Sequence, residues 1–335
     1  MPADTAFNTG ARKTDTSFWR RYVASRPSPP DSFFDFIHAY HERHSADGRT
    51  VLAHDVGTGP GNIAARLLSR YDRVIGSDVN EAALDAAPAL LPPDQLARLG
   101  FVHAGAEDLA SQPPEAIGGG LGTVDLVVVS ECMPLLDAPK AMASFAALLR
   151  PGGTLAAYFY GRPLFASSDS RLDAACDAAY ERVATRVSQL LWPIKDTPAY
   201  PFYKRGSEAL ASYLDSVAVP AGEWAAIERH KWNCDRPLIF AAAEGYDFPI
   251  EPGEDRRGPG ESTFDRVDRQ FWSEEWDFDH AKTFVESIFP KYQTRLGTHA
   301  AEIDRLFAEL ERAMGGRGIK RKVTFPVVLI LASRK

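Results

Sequence analysis

The chain of 335 residues is 45% hydrophobic, enough apolar material for one large α/β domain with insertions or for two small domains, and a short peptide scaffold is excluded. Its 45 acidic and 38 basic side chains leave a formal net charge of −7, which argues against nucleic acid or an anionic membrane surface as partner. Three cysteines, Cys132, Cys176 and Cys234, lack CxxC spacing, so a disulfide framework and a cysteine-only zinc site are excluded and a reducing compartment is expected.

Residues 1–16 are polar and without periodicity and read as a disordered tail. They hold no basic n-region followed by an apolar stretch, and no window nears the roughly 18 apolar residues of a membrane span, so a soluble, cytoplasmic protein is expected. Order is expected from Phe18-Trp19. The prolines of Arg26-Pro27-Ser28-Pro29-Pro30 interrupt any helix, and Phe33, Phe34, Ile37 and Tyr40 then recur at helical spacing toward His44. From residue 50, short apolar runs alternate with amphipathic stretches. Strands are expected at 51–56, 74–76, 100–103, 124–129 and 154–160, with helices near 63–68, 81–87 and 140–149 between them. Such alternation predicts a doubly wound parallel sheet, whose continuously apolar 124–129 run suits a central strand buried on both faces.

Beyond Gly161 the pattern predicts helices at 169–191, 208–217, 280–289 and 299–314, a strand at 224–232 and a Pro/Gly-rich loop at 249–261. A last strand at 323–331 is too apolar for a tail and is expected to return to the sheet. The reading is therefore one domain over 17–335: an N-terminal cap at 17–49, a cofactor-binding core at 50–160, helical lid insertions at 161–320 and the final strand at 321–335.

Asp55-Val56-Gly57-Thr58-Gly59-Pro60-Gly61 closes the first strand and opens a helix. Its glycines permit a tight turn and close approach of a ligand to the backbone, and the helix start offers free N–H groups. The spacing is GxGxG rather than the GxGxxG of dinucleotide folds. Asp55 would repel a pyrophosphate and can help to hold an ammonium group, so an amino-acid-bearing cation fits better than NAD. Asp78, twenty-one positions after Gly57, stands where an acid accepts both ribose hydroxyls. Val79 and Asn80 follow it, Ala106-Glu107-Asp108 can cover an adenine edge, and Ser130-Glu131-Cys132 ends the fourth strand over the reactive side of the sheet.

On these residues, and on Leu149-Arg150-Pro151-Gly152-Gly153-Thr154, the chain resembles the class I S-adenosylmethionine-dependent methyltransferases. More narrowly, Tyr22-Val23-Ala24-Ser25-Arg26-Pro27, the helix around Ile37-His38-Ala39-Tyr40-His41 and the segment 224–233 resemble the trans-aconitate methyltransferase type of fungal small-molecule enzyme. The resemblance implies a Rossmann-like seven-stranded sheet with an antiparallel last strand and S-adenosyl-L-methionine as cofactor. It implies cofactor contacts from Tyr22, Arg26, Asp55, Gly57, Thr58, Gly59, Gly61, Asp78, Val79, Asn80, Ala106, Glu107, Asp108, Ser130 and Glu131. One departure stands out. Where such relatives carry His-Trp late in the fourth motif, this chain has Pro134-Leu135, so a histidine base is absent there.

The expected reaction is methyl transfer to an oxygen of a small molecule, a carboxylate or a hydroxyl, by in-line displacement. A carboxylate acceptor needs no base but wants cations, for which Arg162, Lys195, Lys204 and Arg205 lie past the fifth strand; a hydroxyl needs a base, with Glu131, His103 and His230 as candidates. Trp192, Tyr200, Phe202 and Tyr203, among prolines, read as a substrate-pocket wall, with Arg162 as a further substrate contact. An alternative is a methyltransferase-like enzyme that keeps the cofactor site but catalyses a cyclisation or rearrangement. Cys132 reads as a small buried filler, and His38, His41 and His44 as a solvated helix face rather than a metal cluster. No metal, nucleic-acid or membrane partner is expected, and the chain is read as a monomer or homodimer.

Overall fold

The computed structural model describes residues 16–289 and 292–335. The tail expected over residues 1–16 therefore falls almost wholly outside the described residues. Helix α1 (Thr16–Ser25) is followed by the proline break and by α2 (Asp31–His44), where Pro30 in extended geometry serves as N-cap. The core then runs β1 (Leu52–Val56), α3 (Asn62–Leu67), β2 (Arg73–Asp78), the single turns α4 (Glu81–Leu84), α5 (Ala87–Leu90) and α6 (Pro93–Leu96), β3 (Leu99–His103), β4 (Val124–Ser130), α7 (Ala138–Leu148) and β5 (Leu149–Tyr160). The helix expected at 81–87 is broken because Pro88, Pro92 and Pro93 each close one turn and open the next.

The second half contributes β6 (Leu164–Phe165), α8 (Ser170–Leu191), α9 (Tyr200–Ala211), β7 (Trp224–Trp232), β8 (Ser262–Arg266), β9 (Ser273–Trp276), α10 (Phe278–Ile288), α11 (Tyr292–Leu296), α12 (Ala300–Met314), β10 (Arg321–Thr324) and β11 (Val327–Arg334). The main sheet has the order β3-β2-β1-β4-β5-β11-β7-β8. The first five strands are parallel and β11 runs antiparallel to both β5 and β7. The fold is thus the expected Rossmann-like α/β sheet, with eight strands in place of seven because β8 adds parallel to the outer edge of β7. Every residue from Val124 to Val129 is fully buried, as its apolar run requires.

Three expectations need correcting. The final strand is two: Pro326 interrupts the run, so β10 joins β6 and β9 in a separate three-stranded sheet and only β11 enters the main one. The segment assigned to the lid supplies β7 and β8 to the main sheet, so 161–320 is not all helical cover. The helix expected at 208–217 begins at Tyr200, because Pro201 sits in the first turn where its missing N–H costs nothing, and it stops at Ala211 before the left-handed pair Tyr213 and Leu214.

His38 and His41 are also not on a solvated face: they are 4% and 1% exposed, turned with Ile37 toward the sheet. His41 meets the Thr154 hydroxyl and the Arg49 carbonyl, both at 2.9 Å. At this same end of the sheet, away from the cofactor motifs, the fully buried Asp125 accepts from Val51 N and Leu52 N and pairs with Arg49 and Arg150, stapling β1, β4 and β5 together. Among the described residues no helix is long and apolar enough to cross a membrane, and no group of three or more His, Cys, Asp or Glu is placed to hold a metal ion.

Candidate active site

Strand order reverses between β1 and β4, so the loops after these strands diverge and open a crevice at the carboxyl end of the sheet. A cavity of about 860 Å³ lies there. Its floor is the loop after β1. Gly57 and Gly59 have φ of +70° and +55°, and the Gly57 and Thr58 amides donate to Ser77 O at 2.8 and 2.9 Å, which folds the loop back over β2. Close packing beneath requires the first glycine: a Cβ on Gly57 would lie 2.7 Å from Cys132 Sγ, whereas one on Gly59 would meet nothing within 4 Å. Asp78, at the end of β2, accepts from Gly59 N through Oδ2 and from Asn80 N through Oδ1, each at 2.8 Å.

The side of the cavity next to the glycine loop is acidic. Asp78, Glu81, Asp85, Glu107 and Glu131 line it, and among the described residues Arg26 is the one lysine or arginine that does. Burial raises the Asp78 carboxyl above its ordinary value, against the pull of the Asn80, Gly59 and Val79 amides. Glu131 is raised well above the ordinary range by burial, opposed by the Tyr160 amide, which donates to its Oε1 at 2.8 Å, and by Arg26. Its left-handed backbone, φ +62°, turns the carboxyl back across the crevice, a conformation that costs a non-glycine residue about 1–2 kcal/mol. Arg26 is the hub of this cluster: it stacks on the Tyr22 ring at 4.7 Å, faces Phe284 at 5.6 Å, bonds the Tyr160 phenol, and is held charged by Tyr22, Tyr160 and Glu131 despite burial.

The far side is aromatic. Trp192 meets Tyr203, Phe289 and Tyr246 with ring centroids 5.1, 5.4 and 6.3 Å apart, and Phe240, Phe248 and Ile288 extend the wall. This wall comes from α9, α10 and the loops around residues 192 and 240–248, and helix α1 closes the cavity with Trp19 and Tyr22.

Of the residues singled out from the sequence, Tyr22, Arg26, Gly57, Thr58, Gly59, Asp78, Val79, Asn80, His103, Ala106, Glu107, Ser130, Glu131, Trp192, Phe202 and Tyr203 line this one cavity, with His103 Nε2 3.0 Å from Val79 O. Others do not. Asp55 is fully buried beneath the loop, where its Oδ2 accepts from the Thr58 hydroxyl at 2.7 Å, and burial pushes its carboxyl up to about 7; it shapes the loop and does not face the cavity. Gly61 is the left-handed N-cap of α3, packed against Leu91 and Phe101, and Asp108 is exposed. Arg162 pairs with Glu181, Lys204 with Glu208, and Arg205 donates to Leu135 O, so with Lys195 these cations stand outside the cavity, as does Tyr200, which packs on Phe248. His230 lies on β7 against Glu228 and Phe264, too far round the sheet to serve the crevice. Cys132, read as filler, lines the cavity beneath Gly57. Tyr160, Phe284, Phe240 and Tyr246 were missed; Tyr160 alone left a signal, as the last residue of a strand whose carboxyl end faces the crevice.

This donor set fits a cationic ligand that carries hydroxyls and disfavours a pyrophosphate: an acid-lined wall, a glycine floor without phosphate-binding lysine, and one buried guanidinium.

A methyltransferase-domain family model matches residues 51–153. The chain is 51% identical to the methyltransferase ptaI of Pestalotiopsis fici over 99% of its own length and 97% of that protein. It is 36% identical to the methyltransferase pgmE of Aspergillus terreus, covering 95% of this chain and 93% of that one. A solved structure described as a type II methyltransferase, from Anaeromyxobacter dehalogenans, superposes with a TM-score of 0.54 at 18% identity, covering 91% of this chain and 97% of that one, and so shares its fold.

Proposed function

The chain belongs to the class I S-adenosylmethionine-dependent methyltransferases, with S-adenosyl-L-methionine as cofactor, and from that premise we propose that it methylates an oxygen of a small, flat, largely apolar metabolite, a hydroxyl rather than a carboxylate. The observation that carries this reading is the pairing of an acid-lined half with an aromatic half in one cavity that lacks any lysine or arginine other than Arg26 among the described residues. A carboxylate acceptor would be left without a counter-charge, since Arg26, the one lysine or arginine lining the cavity among the described residues, is committed in this reading to the cofactor's own carboxylate. Aromatic walls whose rings meet edge-to-face or tilted offer an apolar slot that suits a ring.

In this reading Asp78 would take the ribose hydroxyls, Ala106 and Glu107 would flank the adenine, the loop at Gly57–Gly59 would receive the amino-acid part by close backbone approach, and Arg26 would pair with its carboxylate. Bound S-adenosylmethionine supplies an electrophilic methyl group on a sulfonium. The protein's own task is to exclude water and to hold the acceptor oxygen in line with that carbon. Transfer to a hydroxyl would require that oxygen to give up its proton. Glu131 lines the cavity with one oxygen held by the Tyr160 amide and the other not engaged by it, and is the carboxylate placed to take that proton.

The test is incubation with cofactor labelled in the methyl group and a panel of hydroxy-aromatic compounds, each beside the matching carboxylic acid. Label is expected on the hydroxyl compounds. Transfer to carboxylates alone would refute the acceptor class, and tight cofactor binding with no transfer to any compound the enzyme consumes would favour a rearrangement instead.

A further inference from the structure

One wall of the aromatic half is α9, which presents Phe202, Tyr203, Gly206, Ser207 and Leu210 to the cavity. Its inner face rests on the fourth motif. A Cβ on Gly206 would come within 3.2 Å of Leu135 Cδ2 and 3.5 Å of Pro134 O, and Arg205 donates to Leu135 O at 3.1 Å. Its carboxyl end is held from outside by the irregular strap 249–261. Gly253 N donates to Glu208 O at 3.1 Å and Arg256 N to Asp215 O at 2.9 Å, and Gly253 lies so close that a Cβ there would be 2.8 Å from Ser216 Cβ.

The strap is rooted in a buried charge. Arg229 on β7 and Glu261 at the strap's end are each 2% exposed and bonded at 2.5 Å through Arg229 Nε. The two remaining Arg229 nitrogens donate to Leu214 O and Val217 O, both at 2.8 Å, in the turn that follows α9. Glu261 Oε1 accepts from Gly258 N at 2.8 Å, closing the strap on itself, and Lys231 Nζ donates to Asp215 Oδ2 at 2.6 Å. One guanidinium thus ties together the sheet, the strap and the end of the cavity wall, and neither Arg229, Glu261 nor Gly253 lines the cavity.

We propose that the Arg229–Glu261 pair and its strap are a positioning device that fixes α9, and with it the width of the acceptor half of the cavity, without contact with cofactor or substrate. The inference rests on the reading of that aromatic half as the acceptor site. A buried ion pair is a poor source of net stability compared with apolar packing, yet it admits one geometry only, which suits the placement of a wall.

Hydrogen exchange by mass spectrometry on the full chain with S-adenosylhomocysteine tests this in two variants. Glu261→Gln keeps the shape but strips Arg229 of its counter-charge; Gly253→Val wedges the strap away from Ser216 without burying an unpaired charge and decides the matter if the first variant does not fold. Amides of 200–211 are expected to exchange at least tenfold faster, with β1 to β5 unchanged within twofold and the S-adenosylhomocysteine Kd unchanged within twofold. For any panel acceptor that turns over, KM should rise at least fivefold with kcat within threefold. The proposal is overturned if 200–211 exchange as in the parent protein, if exchange rises uniformly with loss of cofactor binding, or if the acceptor KM is unmoved. The exchange and cofactor measurements need no acceptor, so failure of the hydroxyl reading and failure of this one are separate results.

Discussion

Gly57→Ala is the sharpest perturbation of the cavity floor. Two costs can be worked from the geometry. Holding an L-residue at φ +70° costs about 1–2 kcal/mol. The new Cβ would stand 2.7 Å from Cys132 Sγ, closer than real Cβ contacts allow, and relieving such a clash in a packed site costs about 1–3 kcal/mol. The loop bears both, for a total of about 2–5 kcal/mol. If it relaxes by leaving the cofactor-competent shape, each 1.4 kcal/mol or so weakens binding tenfold, so the S-adenosylhomocysteine Kd should rise at least about 30-fold. Cys132→Ala removes the sulfur, leaving only the residue's Cβ, at 3.1 Å, so Gly57→Ala/Cys132→Ala should regain about tenfold while the backbone cost persists. Isothermal titration calorimetry reads the Kd, and urea unfolding of the same variants separates loop effects from global ones. Binding by Gly57→Ala within threefold of the parent, or no recovery in the double variant, would refute the reasoning.

Asp78→Ala should weaken S-adenosylhomocysteine binding at least tenfold, since it removes the acceptor for Gly59 N and Asn80 N as well as the ribose partner; an unchanged Kd would refute that role. Asp55, with its carboxyl at about 7, binds more protons folded than unfolded between roughly pH 4 and 7, so it makes the fold less stable as pH rises through that window. Asp55→Asn should flatten this slope in denaturation midpoints taken from pH 4.5 to 7.5, and parallel curves for parent and variant would count against the burial. His54 works in the opposite sense: burial lowers it to about 4, so its stabilising effect is lost as pH falls from about 6.5 toward 4, and His54→Gln should be less sensitive to acid in the same measurement. Trp192→Ala should cut acceptor turnover at least tenfold with cofactor affinity unchanged in calorimetry, because its ring meets only the aromatic half of the cavity.

The first half of the fold was legible because its signals are local. Strands β1 to β5, the glycine loop and Asp78 each declare themselves within a few residues: a glycine that must take positive φ, an acid at a strand end, an apolar run buried on both faces. What sequence alone could not separate was which polar residues face the ligand. Asp55 and Asp78 look alike in the string, and only the turn of the loop buries one beneath Thr58 and leaves the other at the cavity. Arg162 and Arg26 likewise exchange places in importance, because Glu181 on α8 claims the first while the proline break after α1 delivers the second to the crevice.

The sequence by itself thus determined the class of sheet, the cofactor loop and the family, all carried by short-range spacing and strand-to-helix punctuation. Tertiary structure decided the aromatic half of the cavity. Its walls come from residues 19–26, 192–210, 238–248 and 284–288, which meet only after β11 and β7 close the sheet and the strap seats α9. Which cations stay out of that pocket is settled partly by pairs between separate elements, Arg162 with Glu181 and Arg229 with Glu261, which no local pattern encodes, and only Lys204 with Glu208, one turn apart on α9, is readable locally.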